Sequence, residues 1–116
     1  MTVPAVPEAQ YVDIGNDLTI HYHDEGEGTP VIFVHGSGPG ASGWSNFKGN
    51  YPAMVKAGYR TLVLDLPGYG YSSKPEDAQY TLDFMVAALE GFVEALQLKD
   101  CILIGNSMGG AVCIRF

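Results

Sequence analysis

The stretch from Asp100 to Ala111, D-C-I-L-I-G-N-S-M-G-G-A, constrains this chain more than any other. A short apolar run, Cys101 to Ile104, ends in Gly105-Asn106-Ser107-Met108-Gly109, a G-x-S-x-G pentad. Beyond it, Gly110, Ala111, Val112, Cys113 and Ile114 suit the start of a buried helix. A serine that must stand clear of a strand end is forced into a tight strand-to-helix turn with an unfavourable backbone. The residues two before and two after it must be tiny, because strand and helix nearly touch there. The turn also sets Ser107 at a helix N-terminus, where free N–H groups and the helix dipole favour developing negative charge. An ordinary serine N-cap would account for Ser107 but not for the glycines at 105, 109 and 110. Ser107 is therefore the candidate nucleophile.

The chain leading up to that turn supplies a sheet to carry it. Residues 1–9, with Pro4 and Pro7, read as a loose leader. Gln10 to Ile14 and Leu18 to Asp24 alternate apolar and polar around Gly15-Asn16-Asp17, an antiparallel hairpin with one wet face. His21 and His23 fall on one side of its second strand and read as solvated residues, not metal ligands. Val31 to Val34 is an unbroken apolar run of the kind a strand buried on both faces needs.

Directly after that strand, His35 to Asn46 reads H-G-S-G-P-G-A-S-G-W-S-N. Gly36, Gly38, Gly40 and Gly43 give a loop whose backbone can approach a ligand closely and aim N–H groups at an oxyanion. Their order is not G-x-G-x-x-G and no G-K-[ST] follows, which argues against a nucleotide cradle. Trp44 to Lys56 is weakly helical, interrupted by Gly49 and Pro52. Thr61 to Leu64 forms another buried strand, ending at Asp65, which reads as an Asx-type turn holding the glycine loop that follows it. Thr81 to Leu98 is the clearest helix, with Leu82, Met85, Val86, Leu89, Val93 and Leu96 at 3.6 spacing and Thr81 as cap. Hairpin followed by βαβαβα predicts an α/β protein with a mostly parallel sheet and helices on both faces.

Composition narrows the partners. A net charge of −7 repels phosphate backbones and anionic lipid heads, so nucleic acid and membrane surfaces are excluded as partners. Cys101 and Cys113 sit in apolar runs and read as small buried hydrophobes in a reducing compartment. With no secretion signal and no apolar stretch of membrane-spanning length, the sequence predicts a cytoplasmic protein. No metal or cofactor is expected.

Three blocks carry a resemblance to a known family: 35–46 above, D-L-P-G-Y-G-Y-S at 65–72, and G-N-S-M-G-G-A at 105–111. Together they resemble the α/β-hydrolase superfamily, and within it the meta-cleavage product hydrolases, which split a carbon–carbon bond in ring-fission products of aromatic catabolism. The resemblance implies that Ser107 is the nucleophile and that the backbone N–H groups of Ser37 and Met108 form the oxyanion hole. It implies a substrate pocket made by Gly36, Gly38, Asn46, Asn106 and Trp44. The implied substrate is a 2-hydroxy-6-oxohexa-2,4-dienoate, cleaved without a cofactor, and the implied assembly is a homo-oligomer.

The likeness spans nearly all of this chain but only the front part of the family's fold, which runs to about 250–300 residues. In that fold the acid and the histidine of the triad follow the serine. Neither an aspartate nor a histidine follows Ser107 here, and the three histidines, His21, His23 and His35, all lie upstream. The lid that carries a substrate-binding arginine is also absent, and neither Arg60 nor Arg115 is placed to replace it. The sequence reads as the N-terminal portion of a single domain, stopping after the nucleophile helix starts. Residues 1–116 alone are therefore expected to be inactive, with strand 101–104 as an exposed apolar edge. An esterase or lactonase of the same superfamily, and a catalytically silent module binding a small acid, are the competing readings.

Overall fold

A computed structural model describes residues 6–116. Met1 to Ala5, the first part of the expected leader, lie outside the described residues. The elements run β1 (Gln10–Gly15), β2 (Leu18–Glu25), β3 (Pro30–Val34), α1 (Gly43–Phe47), α2 (Tyr51–Lys56), β4 (Arg60–Leu64), α3 (Leu82–Ala95), β5 (Ile102–Gly105) and α4 (Met108–Arg115). The strands form one sheet in the order β1-β2-β4-β3-β5. β4, β3 and β5 are mutually parallel, while β2 runs antiparallel to both β1 and β4. The sheet is thus mixed: a parallel block extended by the hairpin.

The apolar strands are continuous because both faces are covered. Ile32, Val34, Leu62 and Leu64 point to one side, with Ile20 and Tyr22, and pack under Met85, Leu89 and Phe92 of α3 and Val112 of α4. Val31, Phe33 and Val63 point to the other, against Phe47 and Tyr51 of α1 and α2. Alternation along each strand sends successive side chains into the two layers, so every position in the run is paid for by burial.

Local chemistry sets the element ends. Thr81 Oγ1 accepts the Phe84 N–H at 3.1 Å and starts α3. That helix ends at Ala95, short of the expected Leu98, because Gln97 turns to φ 54°. The single weak helix expected over 44–56 is two. Ser42 and Ser45 cap α1 reciprocally, Ser42 Oγ accepting the Ser45 N–H at 3.0 Å and Ser45 Oγ the Ser42 N–H at 2.9 Å. Pro52 does not interrupt a helix; it sits in the first turn of α2, where its missing N–H is not needed.

Two expectations need correction. His21 and His23 are buried, at 4% and 5% exposure, because their face of β2 is roofed by aromatic side chains instead of solvent. Cys101 and Cys113 are half-buried, not buried. β5 lies at the sheet edge as expected for strand 101–104, with β3 on one side, no strand on the other among the described residues, and Ile102 41% exposed. Among the described residues, no helix is long and apolar enough to cross a membrane.

Candidate active site

β5 and α4 meet at Ser107, whose backbone takes φ 56°, ψ −114°, a region that L-residues other than glycine rarely adopt. Two hydrogen bonds hold the bend. Asn106 N–H donates to Val34 O at 3.0 Å, continuing the β3–β5 ladder, and Gly109 N–H donates to Asn106 O at 2.9 Å. The Ser107 side chain is exposed and makes no capping bond, so it is not an ordinary N-cap serine.

The flanking glycines are steric necessities. A methyl group at Gly109 would stand 2.0 Å from Val34 O, and one at Gly105 would stand 2.5 Å from the backbone of Gly109 and Gly110. Gly110 differs, with no atom closer than 3.7 Å to such a methyl. Two of the three glycines are thus required by the close approach of strand and helix.

The glycine loop after β3 comes to the same place. A methyl at Gly36 would lie 3.3 Å from Ser107 Cβ and 3.1 Å from Asn106 O, so this backbone passes directly beside the serine. Asn46 fixes it: its Oδ1 accepts the Gly36 N–H at 3.0 Å and the Asn106 Nδ2 amide at 2.8 Å. Ser37 and Gly38 follow on the exposed surface, Gly38 at φ 133°. Neither the Ser37 nor the Met108 N–H has an acceptor among the described residues. The structure therefore gathers Ser107, Gly36, Asn46 and Asn106. Trp44 lies elsewhere: its ring packs on His23 and Tyr51, at 5.7 and 5.9 Å between centroids, and lines a different cavity.

His35, the histidine nearest the serine in sequence pattern, is spoken for. It is fully buried, its Nδ1–H donates to Gly36 O at 2.7 Å, and its Nε2 accepts the Leu66 N–H at 2.9 Å. Burial pushes its pKa below the usual imidazole value, with the Gly36 carbonyl and Asp65 opposing. It is a neutral brace between two loops and has no free nitrogen for base chemistry. Arg60 forms a two-pronged pair with Asp24 at 2.9 and 2.7 Å, and Arg115 pairs with Asp83. No group of three His, Cys, Asp or Glu among the described residues could hold a metal.

Asp65 does more than an Asx turn. It is 3% exposed; Oδ2 accepts the Tyr71 N–H at 3.0 Å and pairs with His21 Nδ1 at 2.8 Å, while Oδ1 accepts the Gly43 N–H at 2.8 Å. One carboxylate thereby ties β2, the start of α1 and the 65–72 loop. The sequence carried a signal for this in an aspartate at the end of a buried strand, but nothing marked His21 as its partner.

A serine on a positive-φ bend between a parallel strand and a helix, with a glycine loop pressed against it, is the geometry of a serine hydrolase nucleophile turn. The family model for the alpha/beta hydrolase fold matches residues 29–116, and the chain belongs to that family. Among its relatives, a 2-hydroxy-6-oxononadienedioate/2-hydroxy-6-oxononatrienedioate hydrolase of Pseudomonas putida is 44% identical over 86% of this chain and 35% of its own length. A hydrolase of the same description from Escherichia coli is 42% identical over 90% of this chain and 36% of its own. The solved structure of the meta-cleavage product hydrolase CumD from Pseudomonas fluorescens superposes with a TM-score of 0.85 at 36% identity, covering 91% of this chain and 38% of that one. The chain thus spans a little over a third of the length of the relatives it matches.

Proposed function

We propose that this chain supplies the nucleophile and oxyanion half of a hydrolase that cleaves the carbon–carbon bond of 2-hydroxy-6-oxohexa-2,4-dienoate-type ring-fission products. The observation that carries this reading is the Ser107 bend with the Gly36 backbone beside it. In the proposed reaction the dienol ketonises first, creating an electron sink that allows a carbon to leave. Addition at the C6 carbonyl, by Ser107 Oγ or by a water it activates, then generates an oxyanion. The Ser37 and Met108 N–H groups, neither of which has an acceptor among the described residues, serve that oxyanion, each donor being worth about 3–4 kcal/mol to the transition state. Cleavage of the C5–C6 bond releases 2-hydroxypenta-2,4-dienoate and leaves a carboxylic acid, directly where water has added or by hydrolysis of the acyl-Ser107 ester by a water molecule where the serine has added.

In this reading Asn46 and Asn106 bound the dienoate end of the pocket, and their mutual hydrogen bond sets its floor. Gly36 and Gly38 let the loop approach the substrate. Trp44 acts at one remove, as a side chain at the start of α1 that helps seat the helix carrying Asn46. A base for Ser107 comes from sequence beyond this chain, so residues 1–116 alone show no turnover. The acting protein is a cytoplasmic homo-oligomer that needs no cofactor.

Fusing residues 1–116 to the remaining two thirds of the P. putida relative tests the reading. The fusion should bleach a yellow ring-fission dienoate, and Ser107→Ala should slow it by about a thousandfold or more. A folded fusion that turns over p-nitrophenyl esters but leaves the dienoate intact would make the chain an esterase instead.

A further inference from the structure

A second cavity, of about 660 Å³, lies over the outer face of β2 and takes no part in the chemistry proposed for Ser107. Its walls include Tyr11, His21, His23, Trp44 and Tyr71, with Asp65 beneath them. The rings contact one another: Tyr11, His23 and Tyr71 lie 5.2, 4.9 and 5.2 Å from the His21 centroid, and Trp44 lies 5.7 Å from His23. Such a wall suits a flat aromatic guest, which gains edge-to-face contacts as well as burial.

The two imidazoles add polarity of one kind. His21 Nδ1 faces a carboxylate oxygen at 2.8 Å, and His23 Nδ1 faces the Glu8 carbonyl at 3.3 Å. Both partners can only accept, so in each neutral ring Nδ1 carries the proton and Nε2 presents a lone pair. Neither Nε2 has a partner among the described residues. Among the described residues no buried side-chain nitrogen or oxygen lacks a partner, so neither Nε2 is sealed away from solvent, and both histidines line the cavity. Two buried rings held by their far nitrogens thus offer a guest two acceptors.

Charge narrows the guest further. Both Asp65 oxygens are already engaged by Gly43, Tyr71 and His21, which leaves no open carboxylate to neutralise a cation. No lysine or arginine lines the cavity, so an anion has no counter-charge. We infer that the cavity is a binding site for a neutral hydroxylated aromatic ring, a phenol, whose single O–H donates to the His23 Nε2 atom while its ring packs among Tyr11, Trp44 and Tyr71. This inference stands whether or not Ser107 is a nucleophile.

Trp44 is the only tryptophan in the chain and reports directly on its own cavity. The full chain is titrated with phenol, then with anisole, which has the same ring without the donor. Emission is excited at the red edge, where neither ligand absorbs. Phenol should perturb Trp44 saturably and bind about tenfold tighter than anisole. His23→Phe keeps a ring but removes an acceptor, and should bring phenol close to the anisole value. The ring-proton resonances of His21 and His23 in the unmodified chain should shift with the same phenol dependence, which needs no variant to fold. Equal binding of phenol and anisole, no saturable change, or tighter binding of tetramethylammonium would each overturn the assignment.

Discussion

Asn106 Nδ2 donates a 2.8 Å hydrogen bond to Asn46 Oδ1 across 60 residues of chain, and the same oxygen takes the Gly36 N–H at 3.0 Å. A single acceptor therefore holds α1, the glycine loop and the serine bend in one arrangement. Asn46→Ala leaves two donors without that partner and should cost about 1–3 kcal/mol in urea unfolding. Asn46→Asp retains an acceptor and should fall within about 1 kcal/mol of the parent. Equal stability of all three proteins would show that this oxygen holds nothing together.

Ser107 carries backbone strain that any use of its hydroxyl must outweigh. At φ 56°, ψ −114° a Cβ is unwelcome, whereas glycine enters the region freely. Ser107→Gly should therefore raise unfolding stability by about 1 kcal/mol while abolishing turnover in the fusion. A destabilised Ser107→Gly protein would mean that the serine is placed there for packing.

Much of the architecture is legible from sequence because periodicity and close approach leave marks on residue type. The apolar runs at Val31–Val34 and Thr61–Leu64 announce strands with both faces covered, and Gly105 and Gly109 announce the tight junction. What escapes is the polar wiring between distant segments. The His21–Asp65 pair joins residues 44 positions apart, and neither residue type is unusual in its own local pattern. A histidine alternating with apolar neighbours on a hairpin looks wet until the fold lays Trp44, Tyr11 and Tyr71 over it.

Neighbouring glycines separate steric need from habit. In Gly109→Ala the new methyl meets the Val34 carbonyl at 2.0 Å, a backbone atom that cannot rotate away. Opening the β3–α4 junction should cost about 3 kcal/mol or more. Gly110→Ala meets nothing closer than 3.7 Å and lies inside α4, so it should gain about 0.5–1 kcal/mol of helix stability. Melting temperatures of the two variants should move in opposite directions.

The buried His35 should make stability depend on pH with a definite sign. Burial lowers its folded pKa below the value of about 6.5 that it takes when unfolded. Between those two values the unfolded chain binds the extra proton, so stability rises with pH through that window. It is fully present above about pH 6.5 and is lost as the pH falls towards the lowered folded value. Structurally, a proton on Nε2 would set two donors face to face, since that nitrogen accepts the Leu66 N–H. Urea midpoints across this range should slope for the parent and flatten for His35→Gln, whose amide does not titrate.

The last expectation concerns the open side of the sheet. β5 pairs with β3 through Val31–Ile102 to Val34–Gly105, and its other edge carries unpaired backbone groups beside the exposed Ile102. An unprotected apolar edge is a template for strand addition. Residues 1–116 should therefore self-associate in light scattering as concentration rises. Ile102→Lys places a charge on that edge at a side chain already 41% exposed, so it removes little packing. It should shift the population towards monomer while the cooperative melt is kept. Association unchanged by Ile102→Lys would place the sticky surface elsewhere, such as the hollow where Phe33, Phe47, Met54 and Ile104 meet Asn46, Asn50 and Asn106 on the neighbouring face.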